Sequence, residues 1–113
     1  MIDLSGEHLE EVRRILREHV PGVEVRAFGS RVQGQAREYS DLDLALVGDA
    51  TFEWRQIEVI KDAFSESGLP FMVDVLDWHA ISASFRAAIA KRGFEVIQDK
   101  ASPDLASPKP EVL

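Results

Sequence analysis

Residues 29–47 read GSRVQGQAREYSDLDLALV, from Gly29-Ser30 through ten intervening residues to Asp41-Leu42-Asp43 and the apolar run that follows. A small-residue turn closes one apolar run, and two carboxylates spaced two apart open the next. On a strand, positions i and i+2 point to the same side. Two like charges on one face repel unless a cation bridges them. A hard cation such as Mg²⁺ prefers carboxylate oxygens and takes further ligands from a substrate's phosphates. Glycine lets backbone approach a phosphate closely, and unpaired amides at a turn, with a serine hydroxyl beside them, make an anion site. Each half taken alone has a plainer reading: Asp-x-Asp as two solvated acids, Gly-Ser as a turn.

Working outward, Val23 to Phe28 alternates and ends at Gly29, which predicts a strand. Ser30 to Gln35 reads as a short helix or turn, with Gly34 serving a second bend. Leu42 to Val47 reads as a strand with Leu42, Leu44 and Leu46 on one face and Asp41, Asp43, Ala45 and Val47 on the other. Upstream, Leu9, Val12, Ile15 and Leu16 follow helical spacing over Gly6 to Glu18, with Ser5 as cap and Pro21-Gly22 as stop. Downstream, a second helix over 52–66 carries Phe52, Trp54, Ile57, Ile60, Ala63 and Phe64 as its core stripe, and Gly68 and Pro70 end it. Phe71 to Leu76 reads as a third strand. Ile81, Phe85, Ala88 and Ile89 mark a last helix, with Lys91-Arg92 in its final turn and Gly93 just past it. Phe94 to Ile97 reads as a short edge strand. The order predicts an α+β (α/β-like) domain: a small mixed sheet of three to four strands with helices packed on it. The domain is expected over 1–98. Residues 99–113 carry three of the five prolines and are expected to be a flexible tail.

Asp74 changes the weight of the opening stretch. It stands among Met72, Val73, Val75 and Leu76, where an ionised carboxylate is costly unless it is paired, metal-bound or at a solvated sheet edge. If its strand neighbours that of Asp43, three carboxylates face one cleft, and two metals ~3.5–4 Å apart can clamp attacking and leaving oxygens. Arg31 and Arg37 lie between turn and acids. They read either as a cationic fork for phosphate or as solvated arginines. Ser40 is a cap beside the strand or a donor to phosphate. Asp77 caps the loop or the helix that follows. His8, His19 and His79 show no metal spacing and read as surface or loop residues. Trp54 and Trp78 read as core, with Trp78 near the cleft rim as the alternative.

A chain of 113 residues makes one domain. A net charge of −7 argues against nucleic-acid binding through a basic face. The absence of cysteine removes disulfides, thiol catalysis and zinc-thiolate sites. The first residues, MIDLSGEHLEEV, lack the pattern of a signal peptide, and no apolar run approaches the ~20 residues of a membrane span. A soluble cytoplasmic protein is the expectation.

Gly29-Ser30, ten residues, Asp41-x-Asp43 and a later in-strand Asp74 together resemble the nucleotidyltransferase superfamily that includes DNA polymerase beta. The size is similar to its minimal, stand-alone branch, the MNT domains. VDVLD (residues 73–77) with its following helix and GFEVI (residues 93–97) looks like that branch's closing segment. The resemblance implies that Gly29 and Ser30 hold a nucleotide's phosphates, that Asp41 and Asp43 bind catalytic Mg²⁺, and that Asp74 is the third carboxylate, helping a second metal and acting as base. Val32 and Gln33 depart from the family's smaller and more basic residues. Family members transfer a nucleoside monophosphate from a triphosphate, here expected to be ATP, to a hydroxyl. Many minimal members neighbour HEPN-type proteins and resemble antitoxins that adenylylate a tyrosine of the HEPN ribonuclease. A HEPN-type partner and a homo- or hetero-oligomer are therefore expected. A binding module that neutralises its partner by contact alone is the alternative. A phosphoacceptor signalling domain ranks below both, because the first strand ends in Gly-Ser and no lysine lies between Lys61 and Lys91.

Overall fold

The structure is a computed structural model and describes residues 2–37 and 39–101. Its elements are α1 (Gly6–His19), β1 (Glu24–Phe28), β2 (Leu42–Val47), α2 (Trp54–Ser65), β3 (Val73–Asp77), α3 (Ala83–Arg92) and β4 (Glu95–Gln98). The strands form one four-stranded sheet in the order β3-β2-β1-β4. β1 runs antiparallel to both β2 and β4. β2 and β3 are parallel, and α2 is the crossover between them. A mixed α+β fold is thus borne out, with the fourth strand present.

Local chemistry explains each boundary. Ser5 Oγ accepts from His8 N at 3.1 Å and caps α1. Ser82 does the same for Phe85 N, so α3 starts at Ala83, two residues after the expected Ile81. Gly93, with φ 103°, ends α3 in a conformation closed to most side chains. Residues 30–34 form turns rather than a short helix. The strand expected from Phe71 begins at Val73, because Phe71 turns its ring into the core.

The core lies on one face of the sheet. Leu42, Leu44 and Leu46 are fully buried there with Val12, Ile15 and Leu16 of α1 and Ile60 and Phe64 of α2. Each such side chain contributes roughly 1.5–3 kcal/mol from burial alone. This face leaves the opposite one for chemistry. Trp54, read as part of the core stripe, is 70% exposed. It occupies the first helical position of α2, and the buried stripe starts a turn later, with Ile57 packed against the core. Trp78 is half-buried and holds the Arg26 guanidinium 4.6 Å from its ring centroid.

Asp77 is the loop cap expected of it. Its buried carboxylate accepts from Phe52 N at 2.7 Å and from His79 N at 3.0 Å. His79 Nε2 in turn donates to the Gly48 carbonyl at 2.7 Å. The loops that leave β2 and β3 are therefore tied together at the end of the sheet away from Asp43. At the tail, Ala101 N donates to Gly22 O at 3.0 Å, and residues 102–113 lie outside the described residues.

Candidate functional site

The strand register assembles the site. Phe28 of β1 is opposite Asp43 of β2, and Asp43 is in register with Asp74 of β3. The three residues form one rank across the sheet, on the face away from the leucines. Asp41, two positions before Asp43, joins the same side. Asp43 is half-buried, while Asp41 and Asp74 are exposed. The surroundings push the Asp43 carboxyl above its ordinary range: burial first, then the charges of Asp74 and Asp41. A carboxylate held against two like charges is a place where a cation would relieve the largest local repulsion.

Asp74 is brought beside Asp43, and of its two readings the solvated sheet edge is the one the structure shows. It is not a buried acid. β3 is the edge strand of the sheet, so Asp74 reaches solvent while its backbone stays in register with Asp43.

Gly29 follows β1 and lies beside Asp43. Its φ is 84°, and a Cβ there would overlap Asp43 Oδ2 and stand 3.3 Å from Asp43 Cγ. Only glycine serves both the backbone angle and the close approach. Its carbonyl accepts from Val32 N at 3.0 Å and Gln33 N at 3.1 Å, which folds the turn back over itself. Ser30 follows, half-buried, with its carbonyl accepting from Gln35 N at 3.1 Å.

The two arginines part company. Arg31 is buried; its Nε donates to Ser40 O and its Nη1 to Asp3 O, both at 2.8 Å, and the guanidinium lies 4.3 Å from the Phe71 ring centroid. Committed to two carbonyls and an aromatic face, it pins the loop between turn and acids instead of offering a fork to phosphate. Arg37 is exposed. Ser40 Oγ accepts from Arg37 N at 2.8 Å, so the cap reading describes its present contact. Arg31→Lys should lower stability by about 1.5–3 kcal/mol, the scale of hydrogen bonds from a charged donor, here to two partly buried carbonyls. Urea denaturation at neutral pH measures it, and an unchanged midpoint would contradict the pinning role.

Among the described residues, no group of three His, Cys, Asp or Glu side chains is close enough to enclose a metal by itself. The chemistry of the donors still suits a hard cation: oxygen ligands only, an unrelieved negative charge at Asp43, and an open side for phosphate oxygens. Asp41, Asp43 and Asp74 are the residues that would hold it.

Two hollows flank this rank. On the β1 side, a cavity of about 240 Å³ is lined by Phe28, Gly29, Ser30, Gln33, Phe85 and Arg92, among others. On the β3 side, a groove of about 940 Å³ is lined by Tyr39, Asp41, Lys61, Phe71, Met72 and Asp74, among others. Sequence reasoning did not bring Arg92 and Phe85 to this cavity. Arg92 was explained by the helix dipole, and Phe85 by a helical stripe. Phe85 is instead 42% exposed and meets Phe28 edge-on, with ring centroids 6.2 Å apart. The available signal was α3 itself, whose alanines leave only Ile89 buried.

A glycine turn pressed against a carboxylate, with a second acid beside it and a third on the adjoining parallel strand, defines a class of phosphate-transferring domains. The Nucleotidyltransferase domain family matches residues 9–98, and the chain belongs to that family. A curated relative from Haemophilus influenzae, named probable protein adenylyltransferase MntA, is 46% identical over 99 residues, covering 88% of this chain and 86% of the relative. Solved structures share the fold. A toxin-antitoxin crystal structure with AMP-PNP superposes with TM-score 0.67 at 21% identity, covering 80% of this chain and 73% of that one. A structure of a tri-AMPylated Shewanella oneidensis HEPN toxin in complex with its MNT antitoxin gives TM-score 0.61 at 18% identity, covering 82% and 71%. The expected nucleotidyltransferase fold and enzyme class are borne out.

Proposed function

We propose that this protein is a Mg²⁺-dependent adenylyltransferase that moves AMP from ATP to a tyrosine hydroxyl of a HEPN-type toxin, and so acts as its antitoxin in the cytoplasm. The observation that carries the reading is the register of Asp43 with Asp74, with the Gly29 turn packed against the Asp43 carboxylate and Asp41 beside it. The curated relative's name supports adenylyl transfer to protein. The two solved complexes, one described with AMP-PNP and one with an AMPylated HEPN toxin, support the nucleotide and the partner.

In this reading the triphosphate lies along Gly29 and Ser30. The acceptor oxygen attacks the α-phosphorus; that P–O bond forms as the bond to the bridging oxygen of the β-phosphate breaks, and pyrophosphate leaves. The hydroxyl proton passes to the Asp74 carboxylate, the most accessible base in the rank. Bound Mg²⁺ would neutralise charge developing on the phosphate oxygens. Arg31, through Ser40 and Asp3, holds the loop that presents Asp41.

The test is direct. The protein is incubated with Mg²⁺, α-labelled ATP and the HEPN-type protein encoded beside it, with the double variant Asp41→Ala/Asp43→Ala in parallel. Label on a partner tyrosine with the native protein, and none with the variant, is expected. Transfer that survives the double change would sink the carboxylate assignment. Full neutralisation of the toxin by the variant, with no transfer by either form, would favour neutralisation by contact.

A further inference from the structure

We infer that Tyr39 is an internal acceptor: when no partner is present, the protein transfers the nucleoside monophosphate to its own Tyr39 hydroxyl, within one chain. This rests on the proposed transfer reaction and adds to it a modification site on the protein itself.

Tyr39 is the only tyrosine in the sequence, and it stands two positions before Asp41. Two residues span at most about 7 Å of chain, so the ring is tethered close to that carboxylate. It lines the same groove as Asp41 and Asp74. The residue is 67% exposed and belongs neither to the core nor to the side chains packed against it. Among the described residues its ring and hydroxyl meet no hydrogen-bond or ring partner. An exposed side chain of this kind changes rotamer freely, so the ring can turn into the groove. The backbone beside it is held. Ser40 O accepts from Arg31 Nε, Ser40 N donates to Arg37 O at 3.1 Å, and Ser40 Oγ accepts from Arg37 N. A fixed backbone with a free side chain keeps a hydroxyl at the site without ordering a second molecule.

The chemistry is that proposed for the partner, with a different oxygen. Tyr39 Oη attacks the α-phosphorus of ATP. The Oη–P bond forms as the bond to the bridging oxygen of the β-phosphate breaks, pyrophosphate leaves, and the phenol proton passes to a carboxylate of the rank. A tethered hydroxyl acts at an effective concentration of about a millimolar or more, so it outcompetes a dilute acceptor. Ser65, the last residue of α2, also lines the groove, but its hydroxyl hangs on a short side chain fixed to a helix.

The purified protein is incubated with Mg²⁺ and α-labelled ATP, without partner, beside Tyr39→Phe and Asp41→Ala/Asp43→Ala. Label is expected on the native protein, mapped to Tyr39 by peptide mass spectrometry, and on neither variant. Diluting the protein about tenfold should leave the labelled fraction at a given time unchanged, because a tethered reaction does not depend on protein concentration. Label that persists in Tyr39→Phe, maps to Ser65 or slows with dilution overturns the assignment. A second measurement needs no turnover. Nitration reads this one phenol, because the chain has no other. Mg²⁺ with a non-hydrolysable ATP analogue should slow it several-fold, and unchanged nitration overturns the placement of Tyr39 beside the nucleotide. Protein that labels its partner but never itself overturns Tyr39 as acceptor and leaves the proposed function standing. Protein that labels itself but not the partner upholds Tyr39 and removes the partner from the reaction. Protein that labels neither overturns both.

Discussion

Asp43→Asn should melt at a higher temperature than the native protein in the absence of divalent metal, and should transfer nucleotide about a thousandfold more slowly or worse. Both effects come from one cause. Burial and the neighbouring charges of Asp74 and Asp41 raise the Asp43 carboxyl above its ordinary value of 3.8. The folded state thus binds this proton more tightly than the unfolded chain does. Its ionisation costs stability as pH rises through the window from that ordinary value to the raised one, and the full cost is present above it. Asparagine keeps the shape and removes the charge. The variant should gain over native protein at pH 7 and lose that advantage once the pH is below the window, where Asp43 is protonated in both states. In a domain this size each 1 kcal/mol moves the melting midpoint by about 4–8 °C, so a gain of a few degrees is readable by calorimetry. The loss in rate would follow if Asp43 helps hold a cation whose charge stabilisation supplies several kcal/mol, since each 1.36 kcal/mol is a factor of ten. Mg²⁺ should also reverse the stability order by binding only the native protein. If Asp43→Asn melted below the native protein at pH 7 without metal, the carboxylate cluster would not be the locus of repulsion described here.

Gly29→Ala should lose both stability and activity. The methyl group meets two obstacles: a φ of 84° and the Asp43 carboxylate in the space the Cβ would fill. A left-handed alanine costs about 1–2 kcal/mol before any contact is counted. Relief comes only by moving the turn or swinging Asp43 off its rank, and a displacement of about 1 Å at a reacting centre costs on the order of a hundredfold in rate. The measurement is a pair: chemical denaturation for stability, and label transfer at saturating ATP for kcat. A variant with native kcat would mean that the turn's approach to Asp43 has no role in the chemistry.

Much of this was legible in the sequence because it is local. Alternation places Leu42, Leu44 and Leu46 inside and Asp43 outside whatever the partner strands are. Ser5, Ser82 and Gly93 mark their helix ends by chemistry that needs no tertiary context. The pairing of Asp43 with Asp74 was conditional on strand neighbours, and a parallel pair joined by a helix is a non-local fact that periodicity alone does not supply. Asp74 was left between an acid that needs a partner in apolar surroundings and an acid at a solvated sheet edge, because sequence neighbours in a strand alternate between faces; the strand's place at the edge decided for the second. Arg31 and Arg37 look alike in sequence. What separates them is Asp3 and Phe71, which are 28 and 40 residues from Arg31 along the chain. Trp54 shows the same limit: helical spacing extends a stripe, but only the fold says where the core stops.

The edge position of Asp74 has a further consequence, in the dielectric. An acid at the rim of a sheet sits in water, where attraction between opposite charges is worth a small fraction of its value in a dry site. A macromolecule laid over β3 would displace the water and strengthen every charge interaction at the rank together. The acceptor would then be substrate and lid at once. The site would stay quiet towards solvent until the right protein covered it, so the fidelity of transfer would be set by what can seal the edge.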